Sequence, residues 1–268
     1  MADTELLQQA RARALAGRSP AEAGRAKDLA ALRWVYRWGW STPTIVDAVA
    51  SPGRRGVAAR LVRRGLAKRH ATPAGGGVKG VPVDVLTLTA DGVAELEATL
   101  EEHEVLPYPA RPEHDIPWRQ LRHDTLVQLY TARRLADISG YMTPRELAEK
   151  SAAGQKQPDA VWIAKNNARI TVELEMTAKK GRELDQTILA LIKSVHPKTE
   201  FDKKGPYDII AILSQSRAIL DTYKRRLAPG AEIALYRRNS SRQYEKCGKK
   251  TVPDWIVGKI IFQEITLW

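Results

Sequence analysis

Three acidic residues lie near the start of one short apolar segment and at the end of the next. Asp159 precedes the segment Ala-Val-Trp-Ile, and Glu173 and Glu175 lie in the following segment Ile-Thr-Val-Glu-Leu-Glu. Lys165-Asn166-Asn167 between the two segments is typical of a turn, so the sequence predicts a β-hairpin. This hairpin would bring Asp159 towards Glu173 and Glu175, so that three carboxylates converge.

Neighbouring carboxylates on one strand need a positive charge between them. Glu173 and Glu175 point the same way because side chains alternate along a strand, and like charges at that spacing destabilise a sheet. Mg²⁺ in nucleic-acid enzymes is typically held by one or two carboxylates, with phosphate and water as further ligands. We therefore expect Asp159, Glu173 and Glu175 to bind Mg²⁺, with Lys179 beside a phosphate or the attacking water. The alternative is an outward-facing acidic row neutralised by nearby lysines.

The same acids resemble the PD-(D/E)xK nuclease motif. The residues that carry the resemblance are Pro158-Asp159 and, after a spacer of hairpin length, Glu173-Leu174-Glu175. The resemblance implies that Asp159 and Glu173 bind metal and that the site hydrolyses phosphodiesters. The family usually has lysine at the third position, where this chain has Glu175. The missing positive charge would then come from Lys165, Lys179 or Lys180.

A longer stretch is similar to the replication-relaxation family of plasmids and conjugative elements. The similarity is carried by Leu121-Arg122-His123-Asp124-Thr125-Leu126-Val127, Gln157-Pro158-Asp159-Ala160-Val161 and Val172-Glu173-Leu174-Glu175, within residues 28 to 200. It implies an N-terminal winged helix and a role in processing the DNA of a mobile element. It also implies that His123 and Asp124 are additional metal ligands or orient water. An ordinary polar position on a helix surface is the alternative for both.

The N-terminal half independently predicts a DNA-binding fold. Apolar spacing predicts a helix over 30–40, Ser41-Thr42-Pro43 caps a second helix through residue 50, and a third helix follows from Arg54 to Arg64. Strands are expected at 66–69 and 85–89, separated by a Gly-rich loop at 73–80, with another helix after Leu-Thr-x-x-Gly. This order resembles a winged helix-turn-helix, in which the third helix enters the major groove and the loop reaches phosphate.

The third predicted helix contains five arginines and no acid. Its acid-free surface predicts contact with a polyanion, and the following strand and loop add further cations. The predicted DNA-binding residues are Arg54, Arg55, Arg60, Arg63, Arg64, Lys68, Arg69 and Lys79. A winged fold used for protein contacts, with the arginines as a solvated face, is the alternative.

Overall composition favours the same kind of partner. The chain of 268 residues has a formal charge of +12 and a sequence pI near 9.8. No long apolar segment or signal peptide is present, so we expect a cytoplasmic protein that does not bind membranes. Cys247 is the only cysteine, which excludes an internal disulfide, and no Cys/His cluster has zinc spacing.

Composition shifts along the chain divide it into four segments. Residues 1–27 are expected to form a helical extension, 28–105 the winged helix-turn-helix, 106–118 a Pro-rich linker, and 119–268 a restriction-endonuclease-like α/β domain. In the last segment we expect helices at 118–138, 144–150, 180–194 and 216–226, and strands at 207–213, 233–236 and 260–267 beside the hairpin. The predicted fold class is therefore α+β followed by α/β.

Three classes of function remain open from the sequence. The first is a Mg²⁺-dependent endonuclease acting on plasmid or mobile-element double-stranded DNA. The second is a non-catalytic accessory factor whose nuclease-like core grips DNA or docks a relaxase or replication initiator, with Glu175 marking lost chemistry. The third is a transcriptional regulator, for which the sequence offers no ligand-pocket signature. A homodimer formed through the C-terminal domain is an additional expectation.

Overall fold

Helices and strands are mixed along the whole chain, as the predicted α+β class requires. The structure, a computed structural model, describes residues 17–73, 75–100, 116–148, 157–197 and 205–266. The chain divides into two units, residues 1–125 and 126–268, with the division inside the helix Leu121–Arg134. Most of the predicted N-terminal extension and of the Pro-rich linker lies outside the described residues.

In its described residues before the helix Leu121–Arg134, the first unit contains four helices and a two-stranded sheet. Its elements are α1 (Pro20–Trp38), α2 (Pro43–Ala50), α3 (Val57–Arg63), β1 (Ala67–Ala71), β2 (Asp84–Leu88) and α4 (Ala90–Glu97). The two strands pair antiparallel, with Ala67 opposite Leu88 and Ala71 opposite Asp84. An isolated bridge between Ser41 and Leu86 connects the start of α2 to this sheet.

The helix ends follow local capping signals. Thr42 caps α2 through its side chain, as expected, and accepts a hydrogen bond from the Ile45 backbone N–H. The first helix begins ten residues earlier than predicted, because Ser19 and Glu22 form a reciprocal capping box. The third helix begins at Val57 rather than Arg54, since Gly56 has a φ of 111° that a right-handed helix cannot include.

The Leu-Thr-x-x-Gly signal has a packing explanation. Gly92 lies in the first turn of α4 and approaches the backbone of Leu66 so closely that a Cβ there would be 1.9 Å from the Leu66 carbonyl oxygen. Thr89 caps the same helix and donates a hydrogen bond to the Gly65 carbonyl, with a distance of 2.6 Å. Glycine is therefore required where α4 passes the end of α3.

The second unit is built on a five-stranded sheet. Its elements are α5 (Leu121–Arg134, which begins in the first unit), β3 (Ile138–Met142), α6 (Pro144–Ala148), β4 (Ala160–Ala164), β5 (Arg169–Leu174), α7 (Gly181–Ser194), β6 (Ile209–Ser214), α8 (Arg217–Arg226), β7 (Glu232–Arg238), β8 (Tyr244–Thr251), a short 3₁₀ helix (Asp254–Ile256) and β9 (Ile260–Glu264). The strand order is β3-β4-β5-β6-β9, and β7 and β8 form a separate two-stranded sheet.

The sheet changes from antiparallel to parallel at β5. Strands β3, β4 and β5 pair antiparallel, whereas β5, β6 and β9 run parallel. The connection from β5 to β6 passes through α7, because parallel neighbours need a crossover. Strand β9 pairs with β6 and so occupies one edge of this sheet, which was one of two roles expected for the C-terminal segment.

Two strands of the second unit differ from the sequence expectation. The helix predicted to reach Ile138 ends at Arg134, and Ile138 instead begins β3. Strand β8 was not predicted, because all eight of its residues are exposed and give no apolar alternation. The predicted strand at the C-terminus ends at Glu264.

Both faces of the five-stranded sheet carry helices. On one face, apolar residues of α7 and α8 pack against Ile210 and Ile212 of β6. On the other face, α5 contacts β4, where the Trp162 indole donates a hydrogen bond to Thr131 Oγ1 over 2.9 Å. Glu173 lies on the sheet face that is covered by α7 and α8, because it is the register partner of Ile212.

Candidate acidic site and nucleic-acid interface

The predicted hairpin is formed by β4 and β5. Its turn contains Asn167 in a left-handed conformation, with a φ of 65°, and Asn166 accepts a hydrogen bond from the Ala168 backbone. Register pairs Ala160 with Val172, and the Asp159 backbone N–H donates to Val172 over 3.0 Å. Asp159 therefore lies beside Glu173 on the neighbouring strand, as the sequence predicts.

Glu173 and Glu175 are buried on the helix-covered face of the sheet. Their exposed fractions are 5% and 4%, although the alternative reading placed them on a solvated strand. The covering elements are α7 and α8, whose inward-facing residues are mostly apolar, with Asp185 and Thr187 as buried polar residues of α7. Two carboxylates buried in such surroundings are costly unless positive charge and hydrogen bonds compensate them.

Lys179 supplies one positive charge. Its Nζ lies 2.6 Å from Glu175 Oε1, and the side chain is 20% exposed. Lys179 is one of the three lysines that the sequence suggested as the source of a positive charge at this site. Asp159 Oδ2 accepts a hydrogen bond from the Leu174 backbone N–H over 2.7 Å, which ties the head of β4 to β5.

Tyr223 on α8 belongs to this site but was missed by sequence analysis. The side chain is 1% exposed, and its hydroxyl faces the carboxylate of Glu175. Burial raises the pKa of the Tyr223 hydroxyl, and the charge of Glu175, a hydrogen bond to Glu175 and the charge of Glu173 raise it further. The hydroxyl is therefore a protonated donor near two buried acids. Nothing in the sequence distinguishes Tyr223 from a core aromatic on an amphipathic helix.

The side chains at this site suit Mg²⁺, which keeps several water ligands, better than a metal ion coordinated by protein atoms alone. Within the described ranges, no three acidic, histidine or cysteine side chains are grouped to hold a metal ion, and Glu175 contacts Lys179. Mg²⁺ does not require such a group, since one or two carboxylates with water and phosphate are sufficient. The adjacent acids Asp159 and Glu173 fit that requirement.

His123 and Asp124 contact each other at the start of α5. The His123 Nδ1 lies 2.9 Å from Asp124 Oδ1, and both side chains are about one quarter exposed. Both residues belong to the first unit, whereas Asp159, Glu173 and Glu175 belong to the second.

The predicted DNA-binding arginines separate into two groups. Arg60 and Arg64 both form salt bridges with Asp28 of α1, which is 5% exposed, and Arg64 also lies 3.6 Å from Glu95. These two side chains hold α3 against α1. The remaining three, Arg54, Arg55 and Arg63, are exposed and form no salt bridge among the described residues.

The predicted DNA-binding cations on β1 and in the loop between β1 and β2 also differ in their surroundings. Arg69 on β1 forms a salt bridge with Asp84 on β2, although its own side chain is 61% exposed. Lys68 is exposed on the same strand, and Lys79 is exposed in the loop before β2. Arg69 also lines, with Arg55 and Arg63, a cavity of about 420 Å³ between α2, α3 and β2.

The turn between α2 and α3 is fixed by an acid that sequence analysis missed. The buried carboxylate of Asp47 accepts hydrogen bonds from the backbone N–H groups of Gly56 and Ala58, at 3.0 and 2.9 Å. Its position caps the start of α3, where Gly56 has no side chain to do so. An acid nine residues before a glycine carries no recognisable capping pattern, because the contact is not local.

Comparison with known proteins gave no match. No family model, curated protein or solved structure matches the chain. Both family resemblances therefore depend on the motifs quoted above. No helix of the described ranges is long and apolar enough to cross a membrane.

Proposed function

We propose that the protein binds double-stranded DNA through its first unit and hydrolyses phosphodiesters at a Mg²⁺-dependent site in its second unit. Its biological substrate would be plasmid or mobile-element DNA, as the replication-relaxation resemblance implies. The observation that carries the proposal is the adjacent acid pair Asp159 and Glu173, with Glu175 and the buried, protonated hydroxyl of Tyr223 beside them.

The arrangement of the first unit supports a winged helix-turn-helix. Three helices are followed by an antiparallel pair, and the start of α2 bridges to β2. In this fold the third helix enters the major groove and the loop between the strands meets the backbone. Arg54, Arg55 and Arg63 on and before α3, with Lys79 in the loop, would supply the phosphate contacts.

The second unit supports a restriction-endonuclease-like core with a modified motif. Asp159 and Glu173 would hold Mg²⁺, which when bound lowers the pKa of a water ligand and stabilises charge on the phosphate. Lys179 keeps a positive charge beside Glu175 in the position where the motif lacks its lysine. The protonated Tyr223 hydroxyl would donate a hydrogen bond to a ligand or water held by the acids.

A non-catalytic accessory factor is the second candidate. The observation that favours it is the Lys179–Glu175 ion pair, which neutralises one of the three acids within the protein itself. In this case the nuclease-like core would grip DNA or dock a relaxase or replication initiator. Such a protein would bind DNA without cutting it.

Incubation with supercoiled plasmid distinguishes the two candidates. The wild-type protein and a Glu173→Ala/Glu175→Ala variant are incubated with Mg²⁺, with Mn²⁺ and with EDTA, and nicked and linear products are quantified on gels. We expect metal-dependent cleavage by the wild type that the double variant lacks. A Glu173→Gln variant, which keeps the side-chain volume, controls for loss of folding.

Two results would reject the nuclease proposal. Cleavage that persists in both variants would identify a contaminant or another site. Tight plasmid binding by the wild type, with no cleavage under either metal, would leave the accessory factor as the function. Absence of DNA binding at low salt would reject both candidates.

A further inference from the structure

A basic hairpin extends from the second unit outside the five-stranded sheet. It consists of β7, β8 and the turn between them, residues 232–251, and we call it the basic hairpin. Six of these residues are arginine or lysine and two are glutamate. Every residue of β8 is exposed. The sequence analysis assigned no function to this segment.

The two acids of the basic hairpin are already paired. Glu245 accepts a hydrogen bond from Arg237 over 2.8 Å, and Glu232 forms a salt bridge with Lys249. Four cations therefore remain without an acidic partner in this fully described part of the chain: Arg238, Arg242, Lys246 and Lys250. The nearby Asp185 does not neutralise them, because it is paired with Arg226 on α8.

An exposed tyrosine lies among these cations. Tyr244 is 49% exposed and is the register partner of Arg238, so both side chains share one face of the hairpin. The guanidinium of Arg182 on α7 lies 3.7 Å from the Tyr244 ring centre, and that of Arg238 lies 6.0 Å away. Lys246, two residues after Tyr244 on β8, projects to the same face. The tyrosine thus orders a cluster of three positive charges.

Protection of an exposed strand edge does not explain this cluster. Lysines on an edge strand prevent unwanted strand pairing, and Lys246 and Lys250 on β8 could have that role. However, Arg238 lies on the partner strand, Arg242 lies in the turn and Arg182 lies on a helix. Like charges this close destabilise a sheet by themselves, so their grouping indicates an anionic ligand.

We infer that the basic hairpin binds the sugar–phosphate backbone of double-stranded DNA. The contacting residues would be Arg182, Arg238, Arg242 and Lys246, and Tyr244 would position the arginines. This is a second contact surface, separate from the cations of the first unit. The inference rests on the proposed function in taking DNA as the ligand, because a regular array of backbone phosphates matches several cations at once.

The salt dependence of DNA binding tests the inference. The Arg238→Gln/Arg242→Gln/Lys246→Gln variant is compared with the wild type on a linear duplex in EDTA, which prevents cleavage. Each lost phosphate contact lowers the slope of log K against log salt by about 0.9. We expect the slope to fall by about 2 to 3 and the affinity at 0.1 M salt to fall at least about tenfold.

A matched variant controls for net charge. Arg217→Gln/Lys224→Gln/Arg225→Gln removes three exposed cations from α8 of the same unit. Both triple variants have the same formal charge, so an effect of net charge alone would be equal in the two. We expect the α8 variant to keep the wild-type slope. Thermal melting of both variants verifies that the second unit is folded.

The single cysteine offers a direct probe of the surface. Cys247 is exposed on β8, next to Lys246. We expect saturating duplex DNA to slow the alkylation of Cys247 by a bulky maleimide at least about fivefold. In the hairpin variant, DNA should no longer slow this reaction. A Cys247→Ser/Arg225→Cys protein, which carries its cysteine on α8, should react at the same rate with and without DNA.

The outcomes separate this inference from the proposed function. Normal DNA binding with an unchanged salt slope in the hairpin variant and unprotected Cys247 would overturn the role of the basic hairpin alone. Equal losses of slope in the hairpin and α8 variants would also overturn it, because net charge would then be the cause. No binding of DNA by the wild type would overturn the proposed function as well.

Discussion

Asp28 in the first unit and Glu173 and Glu175 in the second are buried to nearly the same extent, but their surroundings differ. Asp28 receives two arginines, Arg60 and Arg64, whose side chains are 37% and 43% exposed. Glu173 and Glu175 lie under two mostly apolar helix faces, with Lys179 as the salt-bridge partner of Glu175 and the buried Tyr223 hydroxyl near them.

This difference separates a structural acid from a candidate functional one. The Asp28 cluster joins α1 to α3. Its single carboxylate is paired with two guanidinium groups, those of Arg60 and Arg64. Around Glu173 and Glu175, two carboxylates and the Tyr223 hydroxyl are buried close together, and burying neighbouring like charges costs stability. Such costs persist mainly at sites that bind a ligand or perform chemistry. We therefore expect substitution of Asp28 to reduce mainly stability, and substitution of Glu173 or Tyr223 to reduce mainly cleavage.

The largest effect is expected for Glu173→Gln on cleavage. We expect the rate of Mg²⁺-dependent plasmid nicking to fall more than about a hundredfold, since loss of even an outer-shell partner of a metal commonly costs 10- to 100-fold. The free energy of unfolding of the second unit should stay the same or rise, because one buried charge is removed. Nicking rates and thermal melting measure the two effects. A nicking rate within tenfold of the wild type contradicts the prediction.

The opposite pattern is expected for Asp28→Asn. The substitution leaves Arg60 and Arg64 without their charged partner, and we expect the free energy of unfolding of the first unit to fall by about 1–3 kcal/mol. The figure is below that of a fully buried ion pair, because both arginines are partly solvated. Calorimetry measures the change. Glu95→Gln, which removes a more exposed partner of Arg64, should change stability by less than about 0.5 kcal/mol.

Tyr223→Phe should affect function more than stability. The substitution removes one hydrogen bond to Glu175, so we expect the free energy of unfolding to fall by only about 1 kcal/mol. Metal-dependent cleavage should fall about tenfold, as for the loss of an outer-shell metal partner. Tyr130→Phe is the matched control, because that hydroxyl bonds both the backbone N–H and carbonyl of Thr266, at 2.7 and 3.0 Å. A larger stability loss for Tyr223→Phe than for Tyr130→Phe would contradict the assignment.

The smallest effect concerns stability at alkaline pH. The pKa of Tyr223 in the folded protein lies above that of an unfolded tyrosine, which ionises near pH 10. Its contribution to stability is therefore complete below pH 10 and decreases as the pH rises, because the unfolded chain then loses the proton that the folded protein retains. At pH 10.5 the decrease should be less than about 1 kcal/mol. Urea titrations of the wild type and Tyr223→Phe from pH 8 to 10.5 should show a steeper fall for the wild type.

Local signals predicted much of this molecule. The hairpin of β4 and β5 and the Thr42 cap of α2 follow from residues close in sequence. The early start of α1 was also accessible, since Ser19 and Glu22 have the spacing of a capping box. Strand β8 was not, because a continuous run of exposed polar residues lacks the alternation by which strands are recognised.

Contacts between distant residues account for what the sequence could not predict. Tyr223 reaches the acidic site only because β6 and α8 pack beside β5. The pairing of Asp28 with Arg60 similarly depends on the packing of α1 against α3. Because of this packing, Arg60 and Arg64, which were predicted to bind DNA, hold α3 against α1. Burial of Glu173 and Glu175 depends on the helix cover, which the alternation of a single strand does not reveal.

The hydrogen bonds of Asp47 have a consequence for the kinetics of association. Because this carboxylate fixes the start of α3 from α2, the helix is held in place before any partner arrives. Binding through α3 then needs no folding step, and little conformational entropy is lost on association. The rate of encounter would therefore be governed by diffusion and by electrostatic attraction between the cationic surface and DNA, and would depend strongly on ionic strength.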